Sequence, residues 1–165
     1  MQNCLEVLKQ AISFERKGYE FYKQVANQTS GKAVKNLFNH MANEELLHEE
    51  ILAKQFKSLN ENNKFAKEDY HKFEKSHEPI DAFSTDLKNE IVSASYEAAA
   101  IAAAIKLEKN SLNLYLKRSQ IATDAEEVKL YKWLAEFEQG HLDDLVEIDQ
   151  EIREKIWYDN RFWPI

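Results

Sequence analysis

Apolar residues recur at spacings of three and four along four long stretches of the chain, as they do on one face of an α-helix. The pattern predicts helices over about 4–28, 31–58, 96–121 and 124–155. The 165 residues include only three glycines and two prolines, which leaves few turn signals for a strand-rich fold. We therefore expect an all-α protein that forms one domain.

The second half of the sequence repeats the first at an offset of 93 residues. Four matched pairs are Leu37 and Leu130, Ala42 and Ala135, Glu45 and Glu138, and His48 and His141. The predicted helix starts also agree, because Ser30 falls on Thr123 and both residue types are good N-caps. Each half therefore indicates a helical hairpin, the first over about 4–58 and the second over about 96–155. Two such hairpins predict a four-helix bundle.

The two hairpins are joined by 36 residues, 60–95. This connection is too long for a tight turn, so we expect a crossover between the second and third helices that runs along the bundle. Pro79 prevents a single long helix there, and we expect short helices, one of which opens near Ser84. The chain ends in an aromatic tail, 157–165, which predicts a contact with its own bundle or with a second subunit in a homodimer.

Each predicted long helix places one glutamate in its otherwise apolar seam, and two of them add a histidine one turn later. These residues are Glu15, Glu45, His48, Glu108, Glu138 and His141. Four carboxylates without partners cannot share a dry core, because an isolated buried charge costs on the order of tens of kcal/mol at low dielectric. Two divalent cations would balance them, and this ligand pattern is typical of di-iron and di-manganese bundles. A single Glu-x-x-His is usually a solvated face, whereas two copies at one offset favour a dinuclear site.

The donor set also indicates which metal is expected. Oxygen-rich ligation with one imidazole per ion suits iron or manganese better than a closed zinc site, although zinc could substitute. Tyr22 and Tyr115 lie two turns beyond Glu15 and Glu108 on the same helix faces. They are either core aromatics with a hydrogen-bonded hydroxyl or, as we favour, donors that orient the ligand carboxylates.

Composition narrows the remaining classes of function. The net charge is −7 and the basic residues are spread along the chain, which argues against a nucleic-acid surface. No apolar run approaches the roughly 20 residues that span a membrane. A single cysteine, Cys4, excludes both a disulfide framework and a paired Cys-x-x-Cys module. The charged, amphipathic opening MQNCLEVLKQ does not resemble a signal peptide, so we expect a cytoplasmic protein.

With these residues the chain resembles the rubrerythrin branch of the ferritin-like superfamily, over both hairpins and so over nearly its whole length. The resemblance implies a ferritin-like fold in which the six seam residues are metal ligands and Glu45 and Glu138 bridge the two ions. Two features differ from rubrerythrins proper. The chain lacks the cysteines of their rubredoxin domain, and Ser111 stands where they carry a further glutamate, with Gly18 as its counterpart in the first half. In ligand count the expected site is closer to the symmetric centre of bacterioferritin.

The resemblance also implies a function. We expect a non-haem di-iron oxidoreductase, a peroxidase or oxidase of oxidative stress, that reduces H₂O₂ or O₂ with electrons from a separate donor protein. The small residues Gly18 and Ser111 would leave room for the oxidant. The alternative is a ferroxidase or iron-storage protein of the ferritin or bacterioferritin type, which would use the same ligands. A metal-free scaffold is the third class, and the buried glutamates argue against it.

Overall fold

The computed structural model describes residues 4–74, 85–91 and 96–159. Regular structure in these ranges is helical throughout, and the helices are α1 (Cys4–Gln28), α2 (Lys32–Asn62), α3 (His71–Glu74), α4 (Thr85–Glu90), α5 (Tyr96–Ile121) and α6 (Ala125–Asp159). Helix α1 packs against α2, α5 packs against α6, and α1 also contacts α5. The predicted all-α bundle of two helical hairpins is therefore confirmed.

Two apolar layers occupy the two ends of the bundle, and each long helix contributes to both. Residues of the first layer are Leu8, Leu52, Leu112 and Leu134, and residues of the second are Val25, Phe38, Ile101 and Leu145. Helices α1 and α6 begin in the first layer, whereas α2 and α5 begin in the second. It follows that α1 and α6 are parallel and that α2 and α5 run in the opposite direction.

The connection from α2 to α5 crosses from one end of the bundle to the other. Its beginning buries Phe65 and Tyr70 in the first layer, and its later part buries Leu87 of α4 and Ile91, the residue after α4, in the second. A crossover is required because two parallel helices cannot be joined by a short turn. The predicted long crossover is confirmed, and α4 opens at Thr85, one residue from the predicted position.

A buried amide attaches the start of this crossover to α2. The side chain of Gln55 accepts a hydrogen bond from the backbone N–H of Ala66 at 2.8 Å and donates one to its carbonyl at 3.1 Å. The same amide nitrogen lies 3.2 Å from the hydroxyl of Tyr70. Gln55 can therefore be buried in an apolar layer, because its polar atoms have partners.

The crossover supplies a hydrogen-bond acceptor for the first turn of α2. Its N-cap is Gly31, where Ser30 had been predicted, and Gly31 has no side chain to offer. The carboxylate of Glu90 on α4 accepts a hydrogen bond from the backbone N–H of Val34 at 3.0 Å instead. A Cβ at Gly31 would clash with this carboxylate. The glycine therefore permits a cap from another helix.

The other helix ends differ from the predicted ones by a few residues. Helix α6 is capped by Asp124 rather than Thr123, because the Asp124 carboxylate accepts hydrogen bonds from two N–H groups of the first turn, at 2.8 and 3.1 Å. Helix α2 continues to Asn62, where Asn63 adopts a left-handed conformation with φ of 54° that asparagine tolerates. Helix α6 continues to Asp159, beyond the predicted end near 155.

One expectation concerns a part of the chain that the structure does not describe in full. The aromatic tail, 157–165, lies outside the described residues except for the helical backbone of 157–159, so its contacts stay a prediction.

Within the described ranges, no helix is both long and apolar enough to cross a lipid bilayer.

Candidate metal centre

A polar layer lies between the two apolar layers, halfway along the bundle. It contains the six residues predicted from the sequence, and none of them is more than 3% exposed: Glu15, Glu45, His48, Glu108, Glu138 and His141. Helices α1 and α5 each contribute one glutamate, while α2 and α6 each contribute a glutamate and a histidine one turn apart. The i, i+3 spacing places each of these pairs on one helix face.

The residues of this layer form two overlapping groups of four, in which one donor atom from each residue lies within 4.8 Å of the other three. The first group is Glu15, Glu45, His48 and Glu138, and the second is Glu45, Glu108, Glu138 and His141. Glu45 and Glu138 thus belong to both groups. Each group offers three carboxylates and one imidazole, a donor set that suits iron or manganese.

Both imidazoles turn Nδ1 toward the carboxylates. In the first group, His48 Nδ1 lies 3.3 Å from Glu15 Oε2 and 3.3 Å from Glu138 Oε1. In the second, His141 Nδ1 lies 3.7 Å from oxygens of two carboxylates. The centroids of the two imidazole rings are 6.3 Å apart. Both rings therefore face the carboxylates through Nδ1.

Two tyrosines form hydrogen bonds from one hairpin to a glutamate of the other. Tyr22 of α1 donates a hydrogen bond to Glu108 of α5, and Tyr115 of α5 donates one to Glu15 of α1. Burial, followed by the charges of nearby carboxylates, raises the pKa of both tyrosine hydroxyls, so both remain protonated donors. The expected hydrogen bonds are present, and the effect of the tyrosines on a bound metal stays a prediction.

Electrostatics divides the four carboxyl groups into two pairs. Burial, and then the charges of neighbouring carboxylates, raises the pKa of Glu45 and Glu138 well above the usual range. Burial also acts to raise the pKa of Glu108, but contacts with Glu138 and His141 outweigh it and lower that pKa to about 2. A similar balance lowers the pKa of Glu15. In the metal-free protein, Glu45 and Glu138 therefore hold protons more strongly than Glu15 and Glu108 do.

A seventh buried group beside the site, Glu44, was not predicted. Its carboxylate accepts a hydrogen bond from His141 Nε2 at 2.7 Å and lies 3.3 Å from His40 Nε2. Burial acts to lower the pKa of His141, but Glu108 and Glu44 outweigh it and raise that pKa to about 10. The i, i+4 pair of His40 and Glu44 was a sequence signal, but such pairs are also common on solvated helix faces.

His48 has a different environment. Its ring packs edge-on against Trp133, with centroids 5.3 Å apart, and against Phe137, with centroids 5.2 Å apart. Its Nε2 atom is buried and has no hydrogen-bond partner among the described residues. Aromatic packing therefore holds this ring, whereas a carboxylate holds the ring of His141.

A cavity of about 130 Å³ lies against the polar layer. Its lining includes Gly18, Ser111 and the carboxylates Glu45 and Glu108, together with the exposed Lys17. A Cβ at Gly18 would lie 3.2 Å from Cγ and Cδ of Glu45, so the glycine also leaves room for that carboxylate. The space expected at these two small residues is present.

The donor set fits two divalent cations. Both carboxylate oxygens of Glu138 are buried and have no hydrogen-bond partner among the described residues. A buried carboxylate in this state requires either a proton or a cation. Because Glu138 belongs to both groups of donor atoms, one cation in each group would compensate its charge.

A four-helix bundle with two Glu/His groups in its central layer defines a ferritin-like carboxylate protein. The particular family follows from a comparison with protein-family models, in which Rubrerythrin matches residues 6–148. The chain belongs to the rubrerythrin family and is thus a di-iron carboxylate protein of ferritin-like type. No curated protein and no solved structure matches it. The prediction of buried Glu/His groups that could bind metal is confirmed.

Proposed function

We propose that the protein is a non-haem di-iron oxidoreductase that reduces H₂O₂ or O₂ with electrons from a separate donor protein. The observation that carries this proposal is the cavity beside the Glu/His layer, which is lined by two of its carboxylates, Glu45 and Glu108. A buried redox-metal site needs room for a small oxidant. The cavity meets that need next to the metal donors.

The six side chains have assigned roles in this proposal. Glu15 and His48 would hold one ion, and Glu108 and His141 would hold the other. Glu45 and Glu138 would bridge, which their membership of both donor groups supports. Two iron ions bound there would supply electrons and Lewis acidity for reduction of the oxidant. Manganese shares this donor preference, and zinc would occupy the site without redox activity.

The protein would supply orientation and a selective cavity. The tyrosine hydroxyls of Tyr22 and Tyr115 fix the carboxylates that they bond, one from each hairpin. The apolar layers at both ends of the bundle exclude water from the long axis. A cavity of about 130 Å³ admits O₂ or H₂O₂ and is too small for a large organic substrate. Ser111 contributes a hydroxyl-bearing side chain to its wall.

Stopped-flow spectroscopy of the anaerobically loaded ferrous protein tests this function. We expect two irons per chain to be oxidised rapidly by H₂O₂ or by O₂, and a chemical reductant to restore the ferrous protein for further cycles. A chain that binds no iron, or whose iron reacts no faster than free ferrous ion, contradicts the proposal. Iron loading far above two per chain in a large shell on size exclusion supports the ferroxidase and storage alternative.

A homodimer is also part of the proposal, and it rests on the aromatic sequence of the tail. Truncation after Asp159 removes residues 160–165 and leaves α6 intact. Light scattering should then show a change from dimer to monomer. A truncated chain that stays dimeric, or a full-length chain that is monomeric, contradicts a dimer held by residues 160–165 of the tail.

A further inference from the structure

The imidazole of His141 has a charged partner on the side away from the cluster. Its Nδ1 faces the shared carboxylates, while its Nε2 donates to Glu44 at 2.7 Å. Glu44 is only 4% exposed. It lies 3.3 Å from His40, whose side chain is partly exposed. The Glu44 carboxylate thus holds this ring through Nε2, on the side opposite the carboxylates that face Nδ1.

Comparison of the two halves of the repeat shows how the surroundings of His48 differ from those of His141. The residues 93 positions after His40 and Glu44 are Trp133 and Phe137, and both of these lie against the ring of His48. Aromatic side chains therefore replace the pair of His40 and Glu44 at the corresponding place. His48 Nε2 is left without a hydrogen-bond partner among the described residues.

This difference affects how well each ring can bind a cation. A ring that binds metal through Nδ1 carries its proton on Nε2, and that N–H needs an acceptor when it is buried. His141 has this acceptor in Glu44, whereas His48 Nε2 has none among the described residues. A carboxylate behind a ligand imidazole also fixes its tautomer and raises its basicity.

We infer that the two metal positions are unequal, that the His141 position binds a divalent cation more tightly and fills first, and that Glu44 is the positioning residue that causes the difference. This inference rests on the proposed dinuclear site. Loss of such a partner typically lowers metal affinity by about 10- to 100-fold. We therefore expect the two binding constants of the unmodified protein to differ by about 10-fold or more.

The order of filling can be observed with the full-length, metal-free protein labelled with ¹⁵N-histidine. Long-range ¹H–¹⁵N spectra during a titration with Zn²⁺ report each imidazole separately. We expect the first equivalent to shift the nitrogens of His141 and the second to shift those of His48. The reverse order, or simultaneous shifts in proportion to added metal, overturns the inference.

The role of Glu44 can be tested by substitution. In calorimetric titrations with Mn²⁺, Glu44→Gln should weaken the tighter binding step by about 10-fold or more and leave the weaker step nearly unchanged. Glu50→Gln, which alters an exposed carboxylate on the same helix, is the matched control. Equal behaviour of the two variants contradicts a positioning role. If Glu44→Gln fails to fold, the order of shifts in the unmodified protein still decides.

Different results would contradict the proposed dinuclear site and the inferred difference between its two metal positions. A protein that binds fewer than two Zn²⁺ or Mn²⁺ ions contradicts the dinuclear site itself. A protein that binds two ions with equal affinity keeps that site and contradicts only the inequality assigned to Glu44.

Discussion

Tyr22 and Glu108 are joined by a buried hydrogen bond that crosses from the first hairpin to the second. Tyr115 and Glu15 form the reciprocal bond. Each hairpin therefore orients a carboxylate that belongs to the other. Because the same contacts join the hairpins and position the donor atoms, assembly of the bundle also assembles the polar layer.

Tyr22→Phe should weaken both metal binding and folding. The substitution keeps the buried ring and removes a hydrogen bond to a charged group, which contributes about 1.5–3 kcal/mol. We expect metal affinity, measured by chelator competition, to fall about 10-fold or more. Urea denaturation of the metal-free protein should show the lost stability. Tyr96→Phe, at a tyrosine that is 44% exposed, is the control, and equal effects of the two substitutions contradict the assigned role.

Glu138→Ala should remove at least one of the two metals, because Glu138 belongs to both donor groups. Metal analysis of the purified variant, after loading under the same conditions as the unmodified protein, gives the stoichiometry. Glu136→Ala, which alters an exposed carboxylate on the same helix, should keep two ions. Two ions per chain at full occupancy in Glu138→Ala would show that the ligand assignment is wrong.

The six seam residues could be predicted because the spacing of residues within each helix is enough to identify them. Helical spacing places each one in its own seam, and the repeat shows that all four seams carry a glutamate at the same level. The midpoint of each long helix lies between the two apolar layers, so folding brings the six together. The spacing also predicted that the tyrosines bond ligand carboxylates. It did not predict that each tyrosine bonds a carboxylate of the other hairpin.

Glu44 could not be predicted in the same way. It lies next to Glu45 in sequence and outside the seam, so its burial depends on how α2 and α6 are rotated against each other. Its bond to His141 joins positions 97 residues apart. The cap of α2 by Glu90 is similar, because it needs the crossover helix to lie against a glycine. Such contacts depend on tertiary packing rather than on helical period.

The metal-free protein should lose stability as the pH rises from about 5 to about 9. The folded-state pKa values of Glu45 and Glu138 are raised above 4.5, and that of His141 is raised from 6.5 to about 10. A group with a raised pKa stabilises the fold fully below its unfolded pKa and loses this contribution as pH rises through the folded value. Thermal melts across this range check the prediction, and a melting temperature that increases with pH contradicts it.

Metal binding should release protons at neutral pH. His141 is protonated at neutral pH because its pKa is raised to about 10, and the pKa values of Glu45 and Glu138 are also raised in the metal-free protein. Ligands must be deprotonated to bind a cation, so we expect release of roughly one proton or more as both ions bind. Calorimetric titrations with Mn²⁺ in buffers of different ionisation enthalpy measure this number. A binding enthalpy that does not depend on the buffer contradicts the assigned protonation.

Ser111→Leu should slow the reaction with oxidant without removing metal. Ser111 lines the cavity of about 130 Å³ and is not a member of either donor group, so a larger apolar side chain would fill the space next to Glu45 and Glu108. We expect two ions per chain by metal analysis and a several-fold slower oxidation by both H₂O₂ and O₂ in stopped-flow experiments. Ser111→Ala leaves the cavity open and separates loss of the hydroxyl from loss of space, and it should react at nearly the unmodified rate. If Ser111→Leu reacts as fast as Ser111→Ala, the oxidant reaches the metals by another route.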